Sequence, residues 1–238
     1  MTDLITVDSI AAYLTLSAME IVLGLDNIIF ITILVGKLPP REREKARSLG
    51  IGLALVTRLG LLLSLKWLMG LTEAWITVAG HPFSGRDLIL IGGGLFLVAK
   101  ATLEIHDKVE GGAAKPTAVK RGGMASLVFQ IALIDIVFSI DSVITAVGMS
   151  SSLPVMVAAI VTSVIVMLVS ASAIGRFVDQ HPTIKLLALS FLVLIGVMLV
   201  AEGTGRHVEK GYVYFAMAFS VLVEMLNMRF RARTTGKG

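Results

Sequence analysis

Apolar residues dominate seven stretches of this chain, approximately 10–35, 49–71, 87–105, 124–149, 154–176, 184–202 and 211–229. Each is close to the roughly 20 residues a helix needs to cross a hydrocarbon layer about 30 Å thick. Polar positions collect between them, and His106 to Gly123 is the only polar connection of any length. Gly111-Gly112, Pro116 and Gly122-Gly123 punctuate it as a flexible linker. The pattern predicts an all-α membrane protein with seven transmembrane helices, organised as a first three-helix unit (1–106), a linker (107–123), a second three-helix unit (124–205), and a seventh helix with a basic tail (206–238). Composition agrees: 55% of the residues are hydrophobic and 16% charged, where a soluble domain carries about 25% charge. A short acidic leader with Asp3 and Asp8 precedes the first stretch, which itself contains charges, so it reads as a retained span and not as a cleaved signal. The chain has 0 Cys, which excludes disulfides and thiolate metal sites.

Against this background two segments stand out, Glu20-Ile-Val-Leu-Gly-Leu-Asp26-Asn27 and Asp135-Ile-Val-Phe-Ser-Ile-Asp141-Ser142, with the same acid spacing 115 residues apart. A carboxylate at the centre of a membrane helix costs about 2.5 to 3.5 kcal/mol on insertion scales, so four of them need a cation, a proton or a water-lined cavity. At the same offset Leu38-Pro39 recurs as Leu153-Pro154; His-Pro also recurs, at His81-Pro82 and His181-Pro182, just before the third and sixth spans. The halves therefore read as two three-helix repeats. A repeat with an odd number of spans must lie in opposite orientations in its two copies, and such inverted repeats are a transporter signature with the site near the midplane. Glu20 and Asp135 both fall near the middle of their spans.

Charge gives the orientation. Fifteen Lys and Arg residues flank the first, third and fifth connections and the C-terminal tail, against four on the other side (Lys66, Arg86, Arg206 and Lys210). The positive-inside bias puts the N-terminus outside and the C-terminus in the cytoplasm. The net charge of +4 follows from this bias and is no sign of nucleic-acid binding.

Helix geometry constrains the candidate ligands. At 100° per residue Glu20 and Asn27 share a face, as do Asp135 and Ser142, while Asp26 and Asp141 sit about 120° away from them in unbroken helices. Convergence of all six would need a break, and Gly24 and Ser139 occupy matching positions where one is expected, with freed carbonyls as further oxygen donors. Carboxylate, amide and hydroxyl oxygens without Cys or His suit hard divalent ions such as Mn²⁺, Mg²⁺ or Ca²⁺. Met19 and Met149 read first as lipid or packing contacts at ordinary helical spacing, with softer thioethers as the lesser reading. The competing reading for the acids is salt bridging within the bundle to Arg58 or Lys100.

Other intramembrane polar residues are candidates for a path or gate: Glu104 and Glu202 at matching ends of spans 3 and 6, Glu224 and Asn227 on one face of span 7, and Gln130. Gly92-Gly93-Gly94 and Gly50-x-Gly52 read as close helix packing, and the His-Pro pairs as punctuation at helix starts.

These residues carry a resemblance. The two acidic segments, the run ending Lys100-Ala-Thr-Leu-Glu104-Ile-His106, and Glu224-x-x-Asn227 resemble the TerC family of bacterial membrane proteins, grouped with LysE-type exporters, over nearly the whole chain. The resemblance implies tellurite resistance or Mn²⁺ export, with the transported ion bound between the repeats at Glu20, Asp26, Asn27, Asp135, Asp141 and Ser142. The chain has no Walker P-loop and no Asp-Lys-Thr-Gly-Thr phosphorylation motif, which points to secondary transport driven by protons or the membrane potential. No resident cofactor and no enzyme activity are expected, Mn²⁺ being the substrate, and the expected partners are the lipid bilayer, the divalent cation and coupling protons, with no nucleic acid. The alternatives are a LysE-like exporter of amino acids or organic cations, and a membrane-embedded metal-dependent enzyme or assembly factor. A catalytic metal needs a base or nucleophile beside it, and no His-Glu-x-x-His or Ser-His arrangement occurs.

Overall fold

The computed structural model describes residues 6–36, 38–78, 80–110, 123–149, 152–206 and 209–235, without the side chains of Leu25, Asp26, Pro40, Val78, His81, Gly123, Lys210 and residues 232–235. Most of the expected linker, residues 111–122, lies outside the described residues. The helices are α1 (Val7–Val35), α2 (Pro40–Leu63), α3 (Leu65–Gly70), α4 (Gly85–Val109), α5 (Gly123–Met149), α6 (Leu153–Gln180), α7 (Pro182–Gly203) and α8 (Lys210–Thr235). All but the short α3 are long and apolar enough to cross a membrane, giving the seven spans of an all-α membrane protein.

Between α3 and α4 lies the one pair of strands among the described residues, an antiparallel hairpin of β1 (Ala74–Val78) and β2 (His81–Ser84). Gly80 turns it at φ 81°, a conformation open to glycine. His81-Pro82 therefore pairs in a strand and does not begin a helix, contrary to the expectation from sequence. His181-Pro182 does begin one: His181 is the N-cap of α7 and Pro182 its first residue, where a missing N–H costs nothing.

Helix ends are set by local chemistry. Proline at the start of α2 brings Arg41, Arg43, Lys45 and Arg47 onto the helix itself and out of the connection. Arg43 donates to Gly36 O and Leu38 O, both at 2.9 Å, and so satisfies carbonyls beyond the end of α1. The apolar run that continues to residue 71 stops as helix at Leu63, where the Ser64 hydroxyl turns back to Gly60 O at 2.8 Å and α3 follows as a separate turn. Ser84 opens α4 with a reciprocal capping box: its Oγ accepts from Asp87 N, and Asp87 Oδ2 accepts from Ser84 N.

The most extensive helix pairs are α4 with α7, α1 with α6 and α2 with α5. Where α4 and α7 cross, a Cβ on Gly94 would stand 2.5 Å from Gly196 O and one on Gly196 2.8 Å from Gly94 O, so only glycine lets the backbones touch. Gly203 meets Asp87 O in the same way, which makes the pair antiparallel and sets the start of each helix beside the end of the other. Of the other expected packing glycines, Gly93 lies against Val137 and Gly50 against Ile131, while Gly92 and Gly52 have open space beside them.

The apolar core falls into two clusters. One gathers Ile28, Ile31 and Leu34 of α1 with Leu127, Ile131 and Ile134 of α5. The other gathers Leu16 of α1 with Ile140, Val143 and Ala146 of α5. Early residues of α1 thus group with late residues of α5, and Glu20 and Asp135 lie between the two clusters.

Candidate cation site

No break interrupts α1 at Gly24 or α5 at Ser139, contrary to the expectation from sequence. Gly24 instead receives the Met167 side chain, which a Cβ would collide with. Ser139 keeps its place in the helix and donates to Asp135 Oδ2 one turn earlier at 3.2 Å. Both helices therefore keep their carbonyls in intrahelical bonds, and the candidate ligands are side chains.

Unbroken helices separate the acids into two groups, as the 120° offset requires. In the first, Arg58 of α2 reaches between α1 and α5. Its Nη1 donates to Glu20 Oε2, and its Nη2 and Nε each lie 3.4 Å from Asp135 Oδ1. Asn27 Nδ2 donates to the same oxygen at 3.3 Å, while Thr57 Oγ1 donates to Asp135 Oδ2 at 2.7 Å. The group is sealed, with Glu20 and Arg58 each 1% exposed and Asp135 3%. Glu20 Oε1 is nevertheless buried with no hydrogen-bond partner, and so is Ser17 Oγ one turn before it. A cavity of about 10 Å³ bordered by Asn27, Ile131 and Asp135 adjoins the group.

The second group lies six residues further along α5, about 9 Å along the axis at 1.5 Å per residue. Here Arg86 of α4 places Nη2 2.6 Å from Asp141 Oδ1 and 2.7 Å from Glu202 Oε1 of α7. Asp87 Oδ1 stands 3.9 Å from Arg86 Nη1. Glu202 Oε2 and Arg86 Nε are both buried without partners. A cavity of about 20 Å³ opens beside Asp141, walled by Phe138, Ile195 and Tyr214, enough for one water molecule.

Of the six candidate ligands, the structure brings Glu20, Asn27 and Asp135 together and sets Asp141 apart with Glu202. Ser142 is buried one residue beyond Asp141, its hydroxyl 3.5 Å from Ser139 O. The Asp26 side chain lies outside the described residues. Salt bridging through Arg58 holds for Glu20 and Asp135, whereas Lys100 is half-buried and forms no ion pair among the described residues. Glu104 is buried near the start of α7, where Lys185 feels its charge and lies 3.5 Å from Asp179. Glu224 is half-buried and Asn227 exposed on α8, away from both groups. Gln130 bonds Ser126 of its own helix, and Met149 is 44% exposed. Among the described residues no group of three or more His, Asp or Glu is disposed to hold a metal ion.

Sequence reasoning missed Arg86, Thr57 and Ser139 as partners of the acids. Arg86 counted as a loop residue because span 3 reads as starting at residue 87. A signal existed: Arg86 follows His81-Pro82 much as Lys185 follows His181-Pro182. Antiparallel pairing of α4 and α7 then puts each cation beside a glutamate at the other helix's end. Thr57 directly precedes Arg58, so placing that arginine between the acids would have found it.

Comparison with known proteins agrees with this architecture. The pattern of the integral membrane protein TerC family matches residues 5–237. The chain is 55% identical over 218 residues to a UPF0053 protein of Haemophilus influenzae, covering 91% of this chain and 92% of that protein. It is 50% identical over 214 residues to the UPF0053 inner membrane protein YgdQ of Escherichia coli K12, covering 90% of each. With the UPF0053 inner membrane protein YoaE of Escherichia coli K12 it shares 52% identity over 220 residues, 91% of this chain but 42% of that longer protein. No solved structure matches it. Seven apolar helices, duplicated buried acids and a family match from end to end lead to one conclusion: the chain belongs to the TerC family of integral membrane proteins.

Proposed function

We propose that this protein is a secondary active transporter that exports a divalent metal cation, with Mn²⁺ as the favoured substrate, across the inner membrane. The observation that carries the reading is the meeting of Glu20 and Asn27 of α1 with Asp135 of α5, matching segments of the two halves, in the buried middle of a seven-span bundle. Two carboxylates face one guanidinium there, which leaves a negative charge that a proton or a cation must balance. Oxygen donors and the absence of Cys favour a hard divalent ion. Asp26, Asp141 and Ser142 complete the ligand set along the path, with Glu104 and Glu202 at its two ends.

Several features support an inverted repeat as the moving frame. The pairs α1 with α6 and α5 with α2 exchange when the halves are swapped, and α4 with α7 maps onto itself. The order of the core clusters suits antiparallel α1 and α5. Rocking one half against the other would expose the site first to the cytoplasm, where the C-terminus lies, and then outside. With no nucleotide-binding motif in the chain, protons or the membrane potential would drive export.

The test is flux into proteoliposomes with Mn²⁺, Mg²⁺, Ca²⁺ and Zn²⁺, comparing wild type with Asp26→Asn and Asp141→Asn. Mn²⁺ flux that falls in both variants is expected. Unchanged flux in both would remove the site, and flux of arginine or lysine in place of any divalent ion would select the organic-cation exporter instead.

A further inference from the structure

We propose that Asp141 and Glu202 form a second divalent-cation seat, separate from the Glu20–Asp135 group, and that Arg86 is a tethered cation filling it until a metal ion displaces it. The inference rests on the transport reading above and adds Glu202 as a ligand and Arg86 as a competitor.

The geometry of one nitrogen carries it. Arginine ordinarily meets carboxylates with two parallel N–H donors of its fork. Arg86 instead inserts Nη2 alone between Asp141 Oδ1 at 2.6 Å and Glu202 Oε1 at 2.7 Å, oxygens from two different helices. A single positive centre bridging two carboxylates is the arrangement a metal ion would adopt, with Mg²⁺ at about 2.0–2.1 Å and Ca²⁺ at about 2.3–2.6 Å from its oxygens. A small contraction of the pair would suffice for an ion of intermediate size.

Two unpartnered atoms show that the guanidinium fits this place poorly. Glu202 Oε2 is buried without a hydrogen bond on a side chain only 10% exposed. Arg86 Nε is likewise buried and unbonded. A cation accepting both Glu202 oxygens would satisfy the first, and release of Arg86 toward the hairpin side would let water satisfy the second. Hard divalent ions keep several waters, so two carboxylates from the protein are enough when room for water adjoins them. The cavity beside Asp141 has room for one such water, and the space that the Arg86 guanidinium vacates would hold more. Arg86 is 20% exposed and stands on the first turn of α4, next to the hairpin, so it has somewhere to go.

Charge balance gives the device a direction. Arg86 brings one positive charge to two carboxylates, whereas a divalent ion brings two. Metal entry would therefore neutralise the pair more fully than the arginine does, and the return of Arg86 would help expel the ion once it has moved on. The seat is paired along α5 with the Arg58 group about 9 Å away, a spacing of six residues that suits successive steps of one ion.

The experiment is Mn²⁺ binding by calorimetry to the full-length protein in detergent, comparing wild type, Arg86→Gln, Arg86→Lys, Glu202→Gln and Asp141→Asn. A competitor that fills a seat nine-tenths of the time weakens apparent affinity about tenfold, so Arg86→Gln should bind Mn²⁺ about tenfold more tightly. Arg86→Lys restores a tethered charge and should return toward wild type, which separates charge from packing. Glu202→Gln and Asp141→Asn should weaken binding. Affinity unchanged in Arg86→Gln, or insensitive to Glu202→Gln, would overturn the seat while leaving the transport reading standing if Mn²⁺ flux persists. The expected binding pattern without any divalent flux would keep the seat and remove the transport reading. No Mn²⁺ binding in any variant, Arg86→Gln included, would overturn the seat outright.

Discussion

The Arg58 and Arg86 groups share an inventory, one guanidinium against two carboxylates from two other helices, yet they are built for different ends. Arg58 spreads three nitrogens over Glu20 and Asp135, Asn27 and Thr57 add donors to both Asp135 oxygens, and the three charged residues are at most 3% exposed, with Glu20 Oε1 the one carboxylate oxygen of this group left unpartnered. Arg86 touches Asp141 and Glu202 through one nitrogen, leaves its own Nε unbonded, and is 20% exposed. The use of the arginine fork distinguishes an ion pair that fixes helices in place from one that can exchange its cation. Burial sharpens the difference, because an uncompensated charge costs far more where water cannot reach it.

The largest test of that contrast is removal of each arginine in turn. Arg58→Met strands two carboxylates in the core and should cost about 3–5 kcal/mol of stability, the range for breaking a buried pair. Adding Glu20→Gln and Asp135→Asn should recover much of the loss, since the penalty belongs to the orphaned charges. Arg86→Gln should cost only about 1.5–3 kcal/mol, the range for a hydrogen bond to a charged group. Thermal unfolding in detergent reads both, and equal losses would erase the distinction between a structural and an exchangeable arginine.

A smaller effect separates the helix frames of the two groups. Glu202 reaches Arg86 only because α4 and α7 touch at Gly94 and Gly196, whereas Arg58 and its partners belong to α1, α2 and α5. Gly94→Ala would press a Cβ against Gly196 O and the backbone N of Val200. That overpacking should cost about 1–3 kcal/mol. It should also change Mn²⁺ affinity through Glu202. Gly92→Ala, two residues away with open space beside it, serves as the control and should be tolerated. Equal losses in the two variants would mean that the crossing does not set the cost, since alanine is the better helix former at both positions.

Much of this was legible in the chain because hydrophobic run length reads membrane spans directly. Seven spans appear where seven runs lie, with ends displaced by local chemistry: Pro40 begins α2 nine residues before the apolar run, and Ser64 ends it before the run is over. That Glu20 and Asn27 share a face of α1 was readable from 100° steps. Helix breaks at Gly24 and Ser139 were inferred from a demand that all six ligands converge, and the demand was the error. Two counter-cations from different helices serve the acids separately, so the helices need not unwind. Arg86 was invisible as a partner because its role depends on which helix packs against α4, information that lies in glycine-to-glycine contact and not in any run along the chain. The hairpin escaped for a related reason: residues 74–84 read as an ordinary connection, and their pairing is set by the Gly80 turn and short-range register.

The least costly test acts on the turn that carries Arg86. Ser84 is 7% exposed, and its hydroxyl both accepts from Asp87 N at 3.2 Å and lies 2.7 Å from Asp87 Oδ2. Ser84→Ala removes both contacts and should cost about 1 kcal/mol, as loss of an N-cap typically does. The consequence is local, because Arg86 is the second residue of α4 and its grip on Asp141 and Glu202 depends on that turn staying wound. Amide exchange should therefore rise near the start of α4, and Mn²⁺ affinity should move in the same direction as in Arg86→Gln but less far. Amides of α2 and α5 around Arg58 and Asp135 should exchange as slowly as before, since none of the contacts there involves the cap. Ser84→Thr, which keeps a hydroxyl able to accept from Asp87 N and donate to Asp87 Oδ2, should restore protection. If the start of α4 stays protected in Ser84→Ala, the capping box is not what holds Arg86 in place, and the ion pairs themselves must wind the turn.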